Sequence, residues 1–125
     1  MSKFTLYMFN YIFLLGAVFA NVIGQTLMKA GTNQIGGIHI NSLIDLIKIF
    51  FSPFIFAGIV VYGVGTIFWI LALSKFDLSF AYPFLSVGYI LIVIISYFIF
   101  KENITLQKIM GILAITLGLI LISLK

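Results

Sequence analysis

The sequence predicts an all-α integral membrane protein: four transmembrane helices, with a short interfacial amphipathic helix between the first and second. Three observations carry this. The 125 residues are 63% hydrophobic and only 8% charged, where a soluble domain is about 45–50% apolar and about 25% charged. So little charge cannot cover a water-facing surface, and the same balance excludes intrinsic disorder. The apolar residues also cluster in stretches close to the roughly 20 residues that cross a hydrocarbon core of about 30 Å. Four such stretches with short loops use up the chain, so residues 1–125 are expected to form one domain without internal repeats.

The first span is expected from Phe4 to Met28, closed by Lys29, Ala30 and Gly31, a cation and then a glycine where helix C-termini favour both. It is too long for a signal-peptide core of about 7–15 residues and lacks a small-x-small cleavage site, so it is read as retained. Thr32-Asn33-Gln34-Ile35-Gly36-Gly37 is polar and glycine-rich and predicts a loop. From Asn41 to Phe51 the only polar residues after Asn41 are Ser42, Asp45 and Lys48, spaced by three and sharing one helical face. That stretch is too short to span and fits a helix lying along the headgroups, or the first turns of the next span.

Ser52-Pro53 reads as an N-cap followed by proline at the first helical position, opening a second span over Phe54 to Leu73. Ser74-Lys75-Phe76-Asp77 is a tight turn. The third span is expected over Leu78 to Phe100 with Pro83 one turn inside, and Lys101-Glu102-Asn103 is the next turn. A fourth span is expected from Thr105 to Leu124. Lys3, Lys75 and Lys125 then share one side and Lys29, Lys48, Lys101 and Lys108 the other, which leaves almost no positive-inside bias.

Polar groups in hydrocarbon need partners, so their positions point to cavities or helix contacts. In the first helix Asn10, Asn21, Gln25 and Lys29 fall on one broad face. Taken alone, Asn21 and Gln25 could be interhelical hydrogen-bonding groups with Lys29 snorkelling to the interface. The third helix adds a polar stripe of Ser79, Tyr82, Ser86, Tyr89 and Ser96, and the second adds Tyr62, Thr66 and Trp69. Three polar-aromatic faces imply a chamber, with a packed polar seam as the alternative. The substrate-binding candidates are Asn21, Gln25, Lys29, Tyr62, Thr66, Trp69, Tyr82, Ser86 and Tyr89. Gly111, Ala114 and Gly118 on the fourth helix allow close backbone approach and are expected at a dimer interface.

The three acids Asp45, Asp77 and Glu102 all fall in loops or the connector. The expected site therefore has uncharged donors, one ammonium at its rim and no acid within. Cysteine is absent, which removes disulfides and thiolate metal ligands. His39 is a lone loop histidine, and no nucleophile–base pair, phosphate-cradling loop or metal cluster is seen; neither enzyme, cofactor nor metal is expected. The seven lysines are dispersed, so the net charge of +4 is no nucleic-acid footprint.

Tyr11 to Ala17 and Asn21-Val22-Ile23-Gly24-Gln25-Thr26-Leu27-Met28-Lys29 resemble the first helix of the small multidrug resistance proteins, within the drug/metabolite transporter superfamily. Phe68-Trp69, Ala81-Tyr82, Val87-Gly88, and Gly111 with Gly118 fit the same template. The family's proton- and cation-binding glutamate is matched here by Asn21, which cannot titrate, and the aromatic after its Ala-Tyr pair by Leu85. Gly24-Gln25-x-x-x-Lys29 and Ala81-Tyr82-Pro83-Phe84-Leu85-Ser86 are more similar to the subunits that flip aminoarabinose linked to undecaprenyl phosphate. The resemblance implies a multi-pass subunit of the inner (cytoplasmic) membrane, acting as a homodimer or with a related subunit, that moves a polyprenyl-phosphate-linked sugar by alternating access. Lys29 would meet the phosphate. An exporter of small organic cations or polyamines is the alternative, and a non-transporting scaffold a third.

Overall fold

The computed structural model describes residues 3–36 and 39–124; Gly37 of the expected loop and Lys125 of the lysine pattern lie outside the described residues. Every regular element among the described residues is helical: α1 (Lys3–Ile35), α2 (Leu43–Phe50), α3 (Pro53–Leu73), α4 (Leu78–Ala81), a 3-10 turn (Tyr82–Phe84), α5 (Leu85–Phe98) and α6 (Leu106–Ser123).

Helix α1 does not stop at Lys29–Gly31. It continues to Ile35, through most of the expected loop. Gly31 is buried where α1 meets the start of α3, and a Cβ there would stand 2.5 Å from Ile55 Cγ1 and 3.0 Å from Ile55 N. That glycine serves helix contact rather than termination. Thr32 turns its hydroxyl onto the Lys29 carbonyl at 2.8 Å. The stop falls at Gly36, whose φ of +81° is the left-handed value that favours glycine.

The connector contains a short helix, α2, with reciprocal capping at its start. The Asp45 amide donates to Ser42 Oγ at 3.4 Å, and the Asn41 amide donates to Asp45 Oδ2 at 3.1 Å. Asp45 in its first turn and Lys48 in its last suit the helix dipole. Ser52 occupies the N-cap position of α3 and Pro53 its first turn, as the sequence predicts, but the Ser52 hydroxyl points backward and donates to the Ile49 carbonyl at 2.9 Å.

Three helical segments have the length and apolarity to cross a membrane: Lys3–Ile35, Pro53–Leu73 and Leu78–Phe98. Helix α6 is shorter, 18 residues, or about 27 Å at a rise of 1.5 Å per residue. The Leu78–Phe98 segment is not one uniform α-helix, because the 3-10 turn around Pro83 divides it. Proline lacks an N–H and its ring crowds the preceding turn, so the backbone tightens there.

Helix α1 is the hub of the packing: α3 lies along most of it, α5 also leans on it, and α6 touches α5 and the 3-10 turn more lightly. The α1–α3 contact is made by glycines one heptad apart on each helix. A Cβ on Gly58 would stand 2.6 Å from the Gly24 carbonyl oxygen, and one on Gly65 would stand 2.7 Å from Ala20 Cβ. Such close approach is how helices gain van der Waals contact in lipid. Leu14, Ala72 and Ala81 are fully buried at one end, surrounded by Phe13, Trp69, Phe76 and Phe84. Most other large apolar side chains face outward, including Phe19, Ile23, Val64, Ile67, Leu113 and Leu117. In lipid that surface is at home; in water it would not be.

Candidate functional site

A row of cavities begins where α1, α3 and α5 meet, runs between α1 and α5, and ends between α5 and the start of α6. The first, about 90 Å³, is bordered by Asn21, Tyr62, Thr66, Trp69, Gly65 and Leu85. The second, about 240 Å³, takes Asn21, Gln25, Leu85, Gly88, Tyr89 and Ile92. The third, about 200 Å³, adds Thr26, Lys29, Ser96, Phe100 and Glu102 to Gln25 and Ile92. A fourth, about 150 Å³, shares Ile92, Ser96 and Glu102 with the third and reaches Lys108. Asn21 and Leu85 border the first two cavities, and Gln25 and Ile92 the second and third. Consecutive cavities therefore adjoin and form a groove, apolar along one wall and polar along α1.

The side chains of α1 reach the groove because positions 21, 25 and 29 are four apart, slightly more than one turn each. Asn21 and Gln25 are also bonded to each other: Gln25 Nε2 donates to Asn21 Oδ1 at 3.2 Å. This fixes the amide pair while leaving the Gln25 carbonyl oxygen and the Asn21 amide nitrogen for a ligand. Thr66 donates its hydroxyl to the Tyr62 carbonyl of its own helix at 3.1 Å, so toward the groove it offers lone pairs. Lys29 is about 12 Å along α1 from Asn21. It is exposed, bordering the third cavity.

Seven of the nine binding candidates border this groove: Asn21, Gln25, Lys29, Tyr62, Thr66, Trp69 and Tyr89. Tyr82 and Ser86 are not among the residues that border these four cavities. Tyr82 is exposed and meets Trp69 edge-on, ring centroids 6.5 Å apart. Ser86 is half-buried. Tyr82 lies in the 3-10 turn, which has three residues per turn instead of 3.6 and so shifts its phase relative to α5, whereas Ser86 lies in α5 itself, about 60° around the helix from Tyr89. Ser96 stays on the groove side with Tyr89, and Ser79 is exposed at the other end.

Glu102 corrects the sequence expectation. It is not remote from the site: it is half-buried and borders the same cavity as Lys29. The chain reaches this arrangement through an unusual backbone. Lys101 has φ 55°, a left-handed conformation that costs a residue other than glycine about 1–2 kcal/mol. The Glu102 amide then donates to the Ser96 carbonyl at 3.0 Å, folding the end of α5 back on itself. Helical periodicity carries no signal for this, because the residue lies beyond the helix end. Lys108, in the first turn of α6, borders the adjoining cavity as well, its ammonium donating to the Asn103 carbonyl at 3.2 Å.

The small residues of α6 play no part in packing within the chain. A Cβ on Gly111 or Gly118 would meet nothing within 4 Å. The close contacts are instead at Gly24, Gly31, Gly58 and Gly65, where the same heptad signal stood in the sequence.

Comparison with known proteins agrees with this architecture. Residues 34–124 match the EamA-like transporter family. A protein of Hamiltonella defensa described as "Probable 4-amino-4-deoxy-L-arabinose-phosphoundecaprenol flippase subunit ArnE" is 33% identical over 91% of this chain and 96% of its own length. A protein of Proteus mirabilis with the same description is 38% identical over 54% of this chain; the match spans 60% of that relative, less than two thirds of its length. The similarly described subunit ArnF of Aeromonas hydrophila is 30% identical over 93% of this chain and 80% of its own length. No solved structure matches. With a multi-pass set of apolar helices, a groove of neutral donors ending in charge, and a family match over most of its length, the chain belongs to the EamA-like transporter family.

Proposed function

We propose that this protein is a subunit of an inner-membrane flippase for a polyprenyl-phosphate-linked sugar, working as a dimer by alternating access. The observation that carries the reading is the groove itself: neutral hydrogen-bonding groups from Asn21 to Gln25 lead to Lys29, which borders the next cavity. In this reading Lys29 pairs with the phosphate, a point-charge role suited to an ammonium. Asn21, Gln25, Thr66, Tyr62 and Tyr89 bond sugar hydroxyls, and Trp69 stacks on the ring. The apolar wall of Leu85, Gly88 and Ile92 leaves the prenyl tail in lipid. The similarity to aminoarabinose-phosphoundecaprenol flippase subunits supports the choice of substrate class.

Helix α6 crosses the bilayer as the fourth span in this proposal, and α2 lies along the interface with Leu43, Ile44 and Ile47 toward the acyl chains. The open faces at Gly111, Ala114 and Gly118 meet the second subunit, either an identical chain or a related one. Two groove-bearing subunits together enclose a path that one leaves open on its side.

The test is headgroup translocation in proteoliposomes. Lys29→Ala is expected to lower the rate by about tenfold or more, the scale of one charge-assisted hydrogen bond, while the protein still inserts and stays folded. An unaltered rate in that variant overturns the assignment.

A further inference from the structure

The Lys29 end of the groove is not a simple anion site. Lys29 and Glu102 border one cavity, and Glu102 and Lys108 border the next, so one acidic residue borders both of the cavities that these lysines border. Of the three acids, Asp45 caps α2 and Asp77 precedes α4; Glu102 alone borders these cavities. It is half-buried, and the left-handed backbone at Lys101 brings it there. For a headgroup carrying only negative charge, such a carboxylate is a liability: it repels the ligand at close range in a site partly shielded from water. The cost is recovered if the ligand itself brings a positive charge.

We infer that Glu102 recognises a cationic amine on the transported headgroup, so that the site selects zwitterionic headgroups, phosphate on lysine and amine on Glu102, over headgroups carrying phosphate alone. The inference rests on the flippase reading for its phosphate and goes beyond it in assigning the residue that distinguishes one sugar from another. Lys108 gives one of its three donors to the Asn103 carbonyl, and among the described residues no ion pair engages the Glu102 carboxylate, which can therefore meet a ligand. A hydrogen bond between charged partners discriminates strongly, because the neutral analogue leaves the carboxylate desolvated and unpaired.

The experiment uses two probes: a short-chain prenyl phosphate bearing a sugar with a free amine, and the same compound with that amine acetylated. Binding to the detergent-solubilised protein is measured by calorimetry, and translocation in proteoliposomes. The wild type is expected to bind the free-amine probe about tenfold more tightly, the worth of one charge-assisted hydrogen bond. In Glu102→Gln the two probes should bind alike. Equal binding by the wild type, or a preference retained in Glu102→Gln, overturns the inference. If Glu102→Gln binds neither probe, Glu102→Asp decides: return of the preference supports amine recognition, and its absence rejects it. Should both probes cross the bilayer at equal rates, amine recognition falls while the flippase reading stands. Should the preference be present but neither probe cross, the flippase reading falls and amine recognition stands.

Discussion

The carbonyl oxygen of Gly24 lies where a Cβ on Gly58 would stand only 2.6 Å away, so α1 and α3 touch backbone to backbone at the level of the groove. This contact sets the distance between Asn21 on one helix and Tyr62 and Thr66 on the other. Met28 Cγ, 2.7 Å from a Cβ on Gly58, belongs to a flexible side chain that can move, but the Gly24 oxygen and the Met28 nitrogen at 3.0 Å are backbone and cannot yield cheaply. Gly58→Ala should therefore destabilise the protein by about 1–3 kcal/mol, the usual cost of overpacking. Gly63, on the same helix, has nothing within 4 Å of its would-be Cβ. Gly63→Ala should be neutral or stabilising by up to about 1 kcal/mol, the helix preference for alanine over glycine. Thermal unfolding of the two variants in detergent makes the comparison.

Lys101 holds a backbone conformation that suits glycine, with φ 55°. Lys101→Gly should leave the fold intact and raise stability by up to about 1 kcal/mol, since relief of the left-handed strain outweighs the added chain entropy. Lys101→Val should lower it by more than Lys101→Gly raises it, because a β-branched residue tolerates that region worst. Unfolding midpoints of both variants check the order.

Thr105 caps α6, its Oγ1 accepting the Lys108 amide at 3.2 Å. Thr105→Ala should cost about 1 kcal/mol. Thr105→Ser and Thr105→Asp should retain most of that stability, as both supply a capping oxygen. The melting temperatures of the three variants give the ranking.

Pro83 keeps Tyr82–Phe84 in a 3-10 turn between α4 and α5, and such an interruption in a long helix is a common site of hinge motion. Pro83→Ala restores a backbone N–H and permits a continuous α-helix from Leu78 to Phe98. Helical content by circular dichroism should hold or rise slightly. The translocation rate should fall, because a continuous helix would remove the break beside the Tyr82–Trp69 edge-on contact at which a hinge would bend. A rate equal to wild type removes the hinge.

Much of the secondary structure was legible in the residues because lipid imposes a simple rule: backbone groups must be satisfied within the segment, so long apolar runs become helices. That rule is local, and it located α3, the segment Leu78–Phe98 and α6 within two residues of their expected bounds. The face shared by Asn21, Gln25 and Lys29 followed from helical pitch alone. The end of α1 did not, because Gly31 has two physical uses, a helix stop or a packing contact, and only the presence of Ile55 beside it selects the second.

By itself, then, the amino-acid order determined a helical membrane chain with polar residues at helical spacing, since hydropathy and pitch depend on neighbours in the chain. Tertiary structure decided which glycines join helices, that Tyr82 leaves the line of Tyr89 and Ser96, and that Glu102 comes to the cavity of Lys29. Each of these depends on groups far apart in sequence meeting in space, or on a backbone turn beyond a helix end, where periodicity carries no information.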